Sequence, residues 1–141
     1  MQEIAVEGYA ALFGAADLVG DVVRAGAFRE SLARRRAPLP LLLHHEQRLL
    51  AGRWREARED GRGLFLRGLI EADAPAARRA RRMLERGVDG LSIGFITHAS
   101  EPIKGGGRLL IELELLEVSI VALPMQPLAR LNTTRASARA A

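Results

Sequence analysis

The chain has 141 residues and a mass of 15.4 kDa, and 48% of its residues are hydrophobic, enough for one domain with a real core. It has no cysteine, which excludes disulfides and thiolate metal sites, and no apolar run approaches the roughly 18 residues that span a bilayer; with no signal-like N-terminus, a soluble intracellular protein without metal or other cofactor is expected. A net charge of +4 admits a nucleic-acid partner, but 20 of the 21 cations are arginine interleaved with acids and the aromatics are scattered, so neither a nucleic-acid face nor a membrane contact is expected.

From Glu3 to Phe13 the residues Ile4, Val6 and Ala10 fall on alternate positions, which predicts an opening strand closed by Gly14. Asp17 to Asp21 reads as a loop whose carboxylates form Asx turns or bind a ligand. Between Gly26 and Arg36, Phe28 and Leu32 recur at helical spacing and Glu30 stands one turn before Arg34, so a short amphipathic helix is predicted, stopped by Pro38 and Pro40. Leu41 to His44 is a brief strand that carries His44 and His45 to its end, with the bend at Gln47-Arg48 and the return over Leu50 to Glu59. Asp60-Gly61-Arg62-Gly63 is a hairpin turn, and Leu64 to Ile70 a strand buried on both faces except at Arg67. Asp73 caps a second helix with Pro75 in its first turn; Ala76, Ala77, Ala80, Met83 and Leu84 form the inward stripe, arginines cover the rest, and Gly87 ends it.

Leu91 to Ala99 alternates as a strand, Gly105 to Gly107 turn, and Leu109 to Leu123 supplies one long strand or two bent ones before Pro124 and Pro127. The domain is expected over 1–131, followed by a mobile Ala/Arg-rich tail over 132–141. Six or seven strands and two helices predict a β-rich α+β domain, a closed or nearly closed barrel wrapped by short helices; periodicity alone does not separate barrel from sandwich.

The chemistry centres on Gly90-Leu91-Ser92-Ile93-Gly94, where glycines flank one hydroxyl in an apolar run. That arrangement relieves crowding at a nucleophile and lets a carbonyl substrate approach the backbone, although a tight turn in a buried strand would use the same residues. A serine nucleophile needs an oriented base. His98 lies six residues on, roughly 20 Å away along a strand at ~3.3 Å per residue, and cannot reach Ser92. His44 and His45 come from a separate strand, and as neighbours on it they point to opposite sides, so only one serves as base. The motif also occurs in α/β-hydrolases, but those need a helix after the serine and then Asp and His in order, which this chain lacks.

Asp17-Leu18-Val19-Gly20-Asp21, Gly26-Ala27-Phe28, the His44-His45-Glu46 stretch, Gly52-Arg53-Trp54, Gly63 to Gly68, the Ser92 motif and Glu117 to Pro124, taken in order, resemble the prohead (procapsid maturation) protease family of tailed bacteriophages and gene transfer agents. The resemblance, from about Gly8 to Leu131, implies the β-barrel of the herpesvirus assemblins. It also implies a serine endopeptidase with a Ser-His-acid triad. His45 fits the family's histidine motif through Glu46, Gly52 and Trp54, where Glu46 replaces the usual Asp; His44 misses the spacing by one and is the second choice. Glu117 falls where the herpesvirus enzymes place their orienting group, there a second histidine, with Ser119 as a supporting donor; the backbone at Ile93 and Gly94 is the expected oxyanion side, with N–H groups there or an arginine as the donors. The implied substrates are the scaffold or the N-terminal scaffolding segment of the major capsid protein, and the enzyme itself, cleaved inside the immature procapsid in the host cytoplasm by a homodimer. A catalytically silent scaffold- or capsid-binding protein on the same fold is the alternative.

Overall fold

The computed structural model describes residues 1–132 and 137–138. The alternation at the N-terminus makes β1 (Ile4–Leu12), with Ile4, Val6 and Ala10 buried as their spacing requires. A two-residue strand β2 (Val22–Val23) leads into helix α1 (Arg29–Arg34), shorter than its apolar period because the Gly26–Phe28 turn is held from outside: Glu59 accepts the N–H groups of Gly26 and Phe28 at 2.9 and 2.8 Å. Then come β3 (Leu39–Leu43), β4 (Glu46–Glu59) and β5 (Gly63–Ile70), an antiparallel run in which Leu41, Leu42 and Leu43 of β3 are all buried. In β5, by contrast, Leu64, Leu66 and Ile70 enter the core and Phe65 and Leu69 on the other face are only partly covered, so that strand is not buried on both faces.

Helix α2 (Ala77–Glu85) buries Ala77 and Ala80 and packs Met83 and Leu84 against the core, leaving its arginines exposed. Its start departs from expectation. Ala76, not Asp73, is the N-cap and no side chain caps it; turns closed by Ala74 N–H to Glu71 O and Ala77 N–H to Ala74 O bring the chain in, so Asp73 stays exposed in the approach. Two long strands follow, β6 (Gly90–Pro102) and β7 (Arg108–Val121), and the second is one continuous strand rather than two. The short strands β8 (Arg130–Leu131) and β9 (Ser137–Ala138) both pair with β1. The tail expected over 132–141 lies largely outside the described residues; within them, Asn132 N–H donates to Glu7 O at 2.8 Å.

The ladder runs β7-β3-β4-β5-β1-β8-β6, and β6 pairs back to β7, so seven strands close a barrel. In a closed barrel one face of each strand lines the interior and no long edge is left open. Strand β7 is the keystone, antiparallel to β6 on one side and parallel to β3 on the other. Val118 and Ile120 enter the core fully buried, which turns Glu117 and the intervening Ser119 to the opposite face. Buried Trp54 donates Nε1–H to Val118 O at 3.1 Å, fixing β4 to the same strand.

Candidate active site

Three adjacent strands bring the site together. Ser92 of β6 is registered directly opposite Ser119 of β7, and Gly94 opposite Glu117; on the other flank Leu42 and Leu43 of β3 align with Ser119 and Ile120. The chain then reverses at His44-His45, not at Gln47-Arg48: Leu43 pairs with Glu46, and both histidines have positive φ, 52° and 62°. Two positive-φ residues in a two-residue loop are the hairpin geometry that matches strand twist. Gln47, Arg48 and Leu49 form a bulge between Glu46, opposite Leu43, and Leu50, opposite Leu42.

Neither histidine is a glycine or an asparagine, so the left-handed backbone costs energy that the surroundings must offset. They do so by hydrogen bonds from β7. His44 N–H donates to Ile120 O at 3.1 Å, and His45 N–H donates to Ser119 Oγ at 3.0 Å. The turn aims the His45 ring between the two partners that complete the constellation. His45 Nε2 lies 3.0 Å from Ser92 Oγ, and Nδ1 lies 2.5 Å from Glu117 Oε2. Ser119 Oγ–H donates to the other carboxylate oxygen, Oε1, at 2.7 Å. One buried hydroxyl therefore fixes both the carboxylate and the backbone of the imidazole it orients.

Glu117 raises the His45 pKa above that of a free imidazole, first through its hydrogen bond and further through its charge, against an opposing effect of partial burial. The Glu117 side chain is 12% exposed, that of His45 41%, so the ring reaches solvent while the acid behind it does not.

The glycines of the motif serve a purpose other than the one their spacing suggests. Neither has positive φ. A Cβ on Gly94 would stand 2.7 Å from Glu117 Cδ and nearer still to Oε2, so the missing side chain is the space the carboxylate occupies. A Cβ on Gly90 would meet Val121 O at 2.6 Å and Pro124 Cδ at 2.8 Å, which makes that glycine a packing requirement where the chain leaves β7.

Of the other candidates, His44 contributes its backbone, and His98 pairs across the sheet with Glu114 at 2.9 Å. Asp17 acts as a turn former: its Oδ1 accepts the N–H groups of Val19 and Asp21, each at 2.9 Å. Asp21 holds the guanidinium and backbone N–H of Arg108, which depress its pKa. Among the described residues no group of three or more His, Asp and Glu side chains is arranged to hold a metal.

Residues 1–140 match the family model of the caudovirus prohead serine protease. The chain is 30% identical over 122 residues to the prohead protease of Enterobacteria phage HK97; that stretch is 84% of this chain but 54% of the relative, so the chain spans about half the relative's length. In structure it is similar to the KSHV protease in complex with a hexapeptide phosphonate inhibitor, with a TM-score of 0.65 at 17% identity over 92% of this chain and 64% of that one. It is also similar to the bacteriophage T4 capsid assembly protease, with a TM-score of 0.64 at 13% identity over 83% of this chain and 80% of that one. These last two likenesses concern the fold.

Proposed function

The chain belongs to the caudovirus prohead serine protease family, and from that premise we propose that it is the serine endopeptidase of capsid maturation, with Ser92 as nucleophile, His45 as general base and Glu117 as the orienting acid. The observation that carries this reading is the unbroken hydrogen-bonded line Ser92 Oγ, His45, Glu117, at 3.0 and 2.5 Å.

Ser92 O–H donates to Nε2 of neutral His45, while Nδ1–H donates to Glu117. That bond selects the tautomer with its lone pair on Nε2. As Ser92 Oγ attacks the carbonyl carbon of the scissile peptide, its proton passes to Nε2, and the imidazolium so formed is stabilised by Glu117, which stays ionised. Nε2–H then donates to the leaving amine nitrogen. Water, deprotonated by the same nitrogen, attacks the acyl-enzyme and releases Ser92. Of the two backbone positions on the oxyanion side, the strand geometry favours Ile93. Leu91 N–H bonds Ala129 O, away from β7, and alternation sends Ile93 N–H to that same edge, whereas Gly94 N–H points toward β7.

The substrates in this reading are the scaffold or the scaffolding segment of the major capsid protein, and the enzyme's own termini, cleaved inside the procapsid in the host cytoplasm; a homodimer is the working form. Co-expression with its cognate major capsid protein, read by intact mass, tests the proposal. Wild type should trim the capsid protein, while folded Ser92→Ala and His45→Ala variants should not, since removing either member of such a unit costs roughly 10³ to 10⁶ in kcat. Cleavage that persists in folded Ser92→Ala refutes it. The dimer is tested by activity that rises faster than linearly with enzyme concentration; strict proportionality removes that requirement.

A further inference from the structure

A cavity of about 290 Å³ opens beside Ser92 and His45. Its walls come from Ala10 and Ala11 of β1, Val23 of β2, Ile93 and Phe95 of β6 and Leu110 of β7, and its rim from Val19 and Met125. The rim exposes large apolar side chains: Val19 is 62% exposed and Met125 46%, and Leu18, bonded through its N–H to Met125 O, is 59% exposed. Large side chains held in water at the mouth of an apolar cavity gain by covering it when a ligand enters.

The polar groups at this cavity are already committed. Asp17 accepts two backbone N–H groups within its own loop, Asp21 is bound by Arg108, and the Gln126 side chain accepts Leu12 N–H while donating to Leu12 O and Ala15 O. A charged side chain entering the cavity would lose its hydration among mostly apolar walls, where an acid would face the Asp17 and Asp21 carboxylates and a base would meet only an Asp17 already accepting two N–H groups and an Asp21 already paired with Arg108. The rim is also fixed, because Leu18 N–H donates to Met125 O at 2.9 Å and so ties the two loops together.

We propose that this cavity receives an uncharged apolar side chain, of the size of Leu or Met, from the substrate residue on the acyl side of the cleaved bond, with Val19, Phe95 and Met125 determining that specificity. The inference rests on the endopeptidase reading. The acyl side is chosen because that residue stays bonded to Ser92 Oγ in the intermediate, and Ser92 is itself part of the cavity wall.

The test maps cleavage sites of the full chain in a peptide library by mass spectrometry. It then compares kcat/KM for matched peptides with Leu or Glu at the acyl-side position. Leu, Met and similar residues should dominate there, with Leu preferred over Glu by a hundredfold or more, in keeping with pockets that leave a charge unpaired. Val19→Arg, at an exposed position that the fold tolerates, should cut that Leu-to-Glu ratio about tenfold or more, and Phe95→Ala should shift the preference toward larger aromatic side chains. Enrichment of charged residues at that position, or ratios unchanged in both variants, overturns the pocket assignment while the protease reading stands. Failure of wild type to cleave any peptide or to react at Ser92 with a small fluorophosphonate removes the protease reading, and the pocket assignment with it.

Discussion

Replacing Gly94 with alanine separates the catalytic geometry from the fold. The added Cβ would lie 2.7 Å from Glu117 Cδ, and since carbon atoms rest about 3.5 to 4.0 Å apart, the carboxylate must retreat by about 1 Å. Its Oε1 is held by Ser119 and its Oε2 by His45 at 2.5 Å, so the displacement falls on one of these bonds. Stretching the imidazole contact to about 3.5 Å takes it out of hydrogen-bonding range. A misplacement of that size costs about 10² in rate, and the loss of the orienting acid altogether sets a limit near 10⁴, so kcat/KM should fall by about 10² to 10⁴. The fold loses little, because the clashing atoms are the end of a flexible side chain and not backbone; the cost is that of one charge-assisted bond, at most about 3 kcal/mol. Steady-state kinetics on a capsid-derived peptide, with thermal melts and the His45 pKa by NMR, read all three quantities. A folded Gly94→Ala enzyme with kcat/KM within about threefold of wild type, or with an unchanged His45 pKa, refutes the account of this glycine.

Gly90→Ala should behave in the opposite sense, lowering the melting temperature by several degrees through contacts with Val121 O and Pro124 that are backbone and ring atoms unable to swing away, with activity per folded molecule reduced far less than in Gly94→Ala. Glu117→Gln should lower kcat by about 10² to 10⁴ while leaving KM nearly unchanged. Because base catalysis needs neutral His45 and Glu117 raises its pKa, the acid limb of the kcat/KM profile should lie above the ordinary histidine value of about 6.5 and move to lower pH in Glu117→Gln; an unmoved limb breaks the link between the two residues. The same raised pKa makes the charged pair stabilising below the unfolded value of about 6.5, and that contribution is lost as pH rises through the folded value, so the melting-temperature gap between wild type and Glu117→Gln should be widest in mildly acidic buffer and narrow as pH is raised through the folded value. His44→Ala and His98→Ala should each stay within about tenfold of wild type, since one side chain is not part of the constellation and the other is paired with Glu114.

The three residues of the constellation were legible because each is scarce or placed by alternation. There are only three histidines, one of them out of reach along the strand, and Glu117 shares a strand face with Ser119 by a spacing of two. The turn at His44-His45 was not legible, because left-handed turn residues are normally glycine or asparagine, and the bonds that hold these two come from Ser119 and Ile120, more than seventy residues on. The glycines were found for the wrong reason. Their spacing around a serine implies open space for a nucleophile, whereas Gly94 makes room for a carboxylate on the next strand, a cause invisible until β6 and β7 are in register. The start of α2 was misplaced because Asp73 and Pro75 carry strong local signals that the turns at Ala74 and Ala77 override. The cavity beside Ser92 draws on four strands, two loops and the His44-His45 turn, and no local pattern marks such an assembly.

The central position of β7 also sets when the catalytic line can exist. Ser92 and His45 sit on segments that touch through β7, and that strand, near the end of the barrel in chain order, carries both the carboxylate that holds the imidazole and the hydroxyl that holds the His45 backbone. A nascent chain released only as far as β6 holds Ser92 and His45 but lacks the strand that holds the imidazole in place, so the histidine turn has no reason to adopt its costly backbone. If the chain is the protease proposed above, strand order then delays its activity during synthesis: the Ser92-His45-Glu117 line is completed only with β7, after most of the barrel has been made.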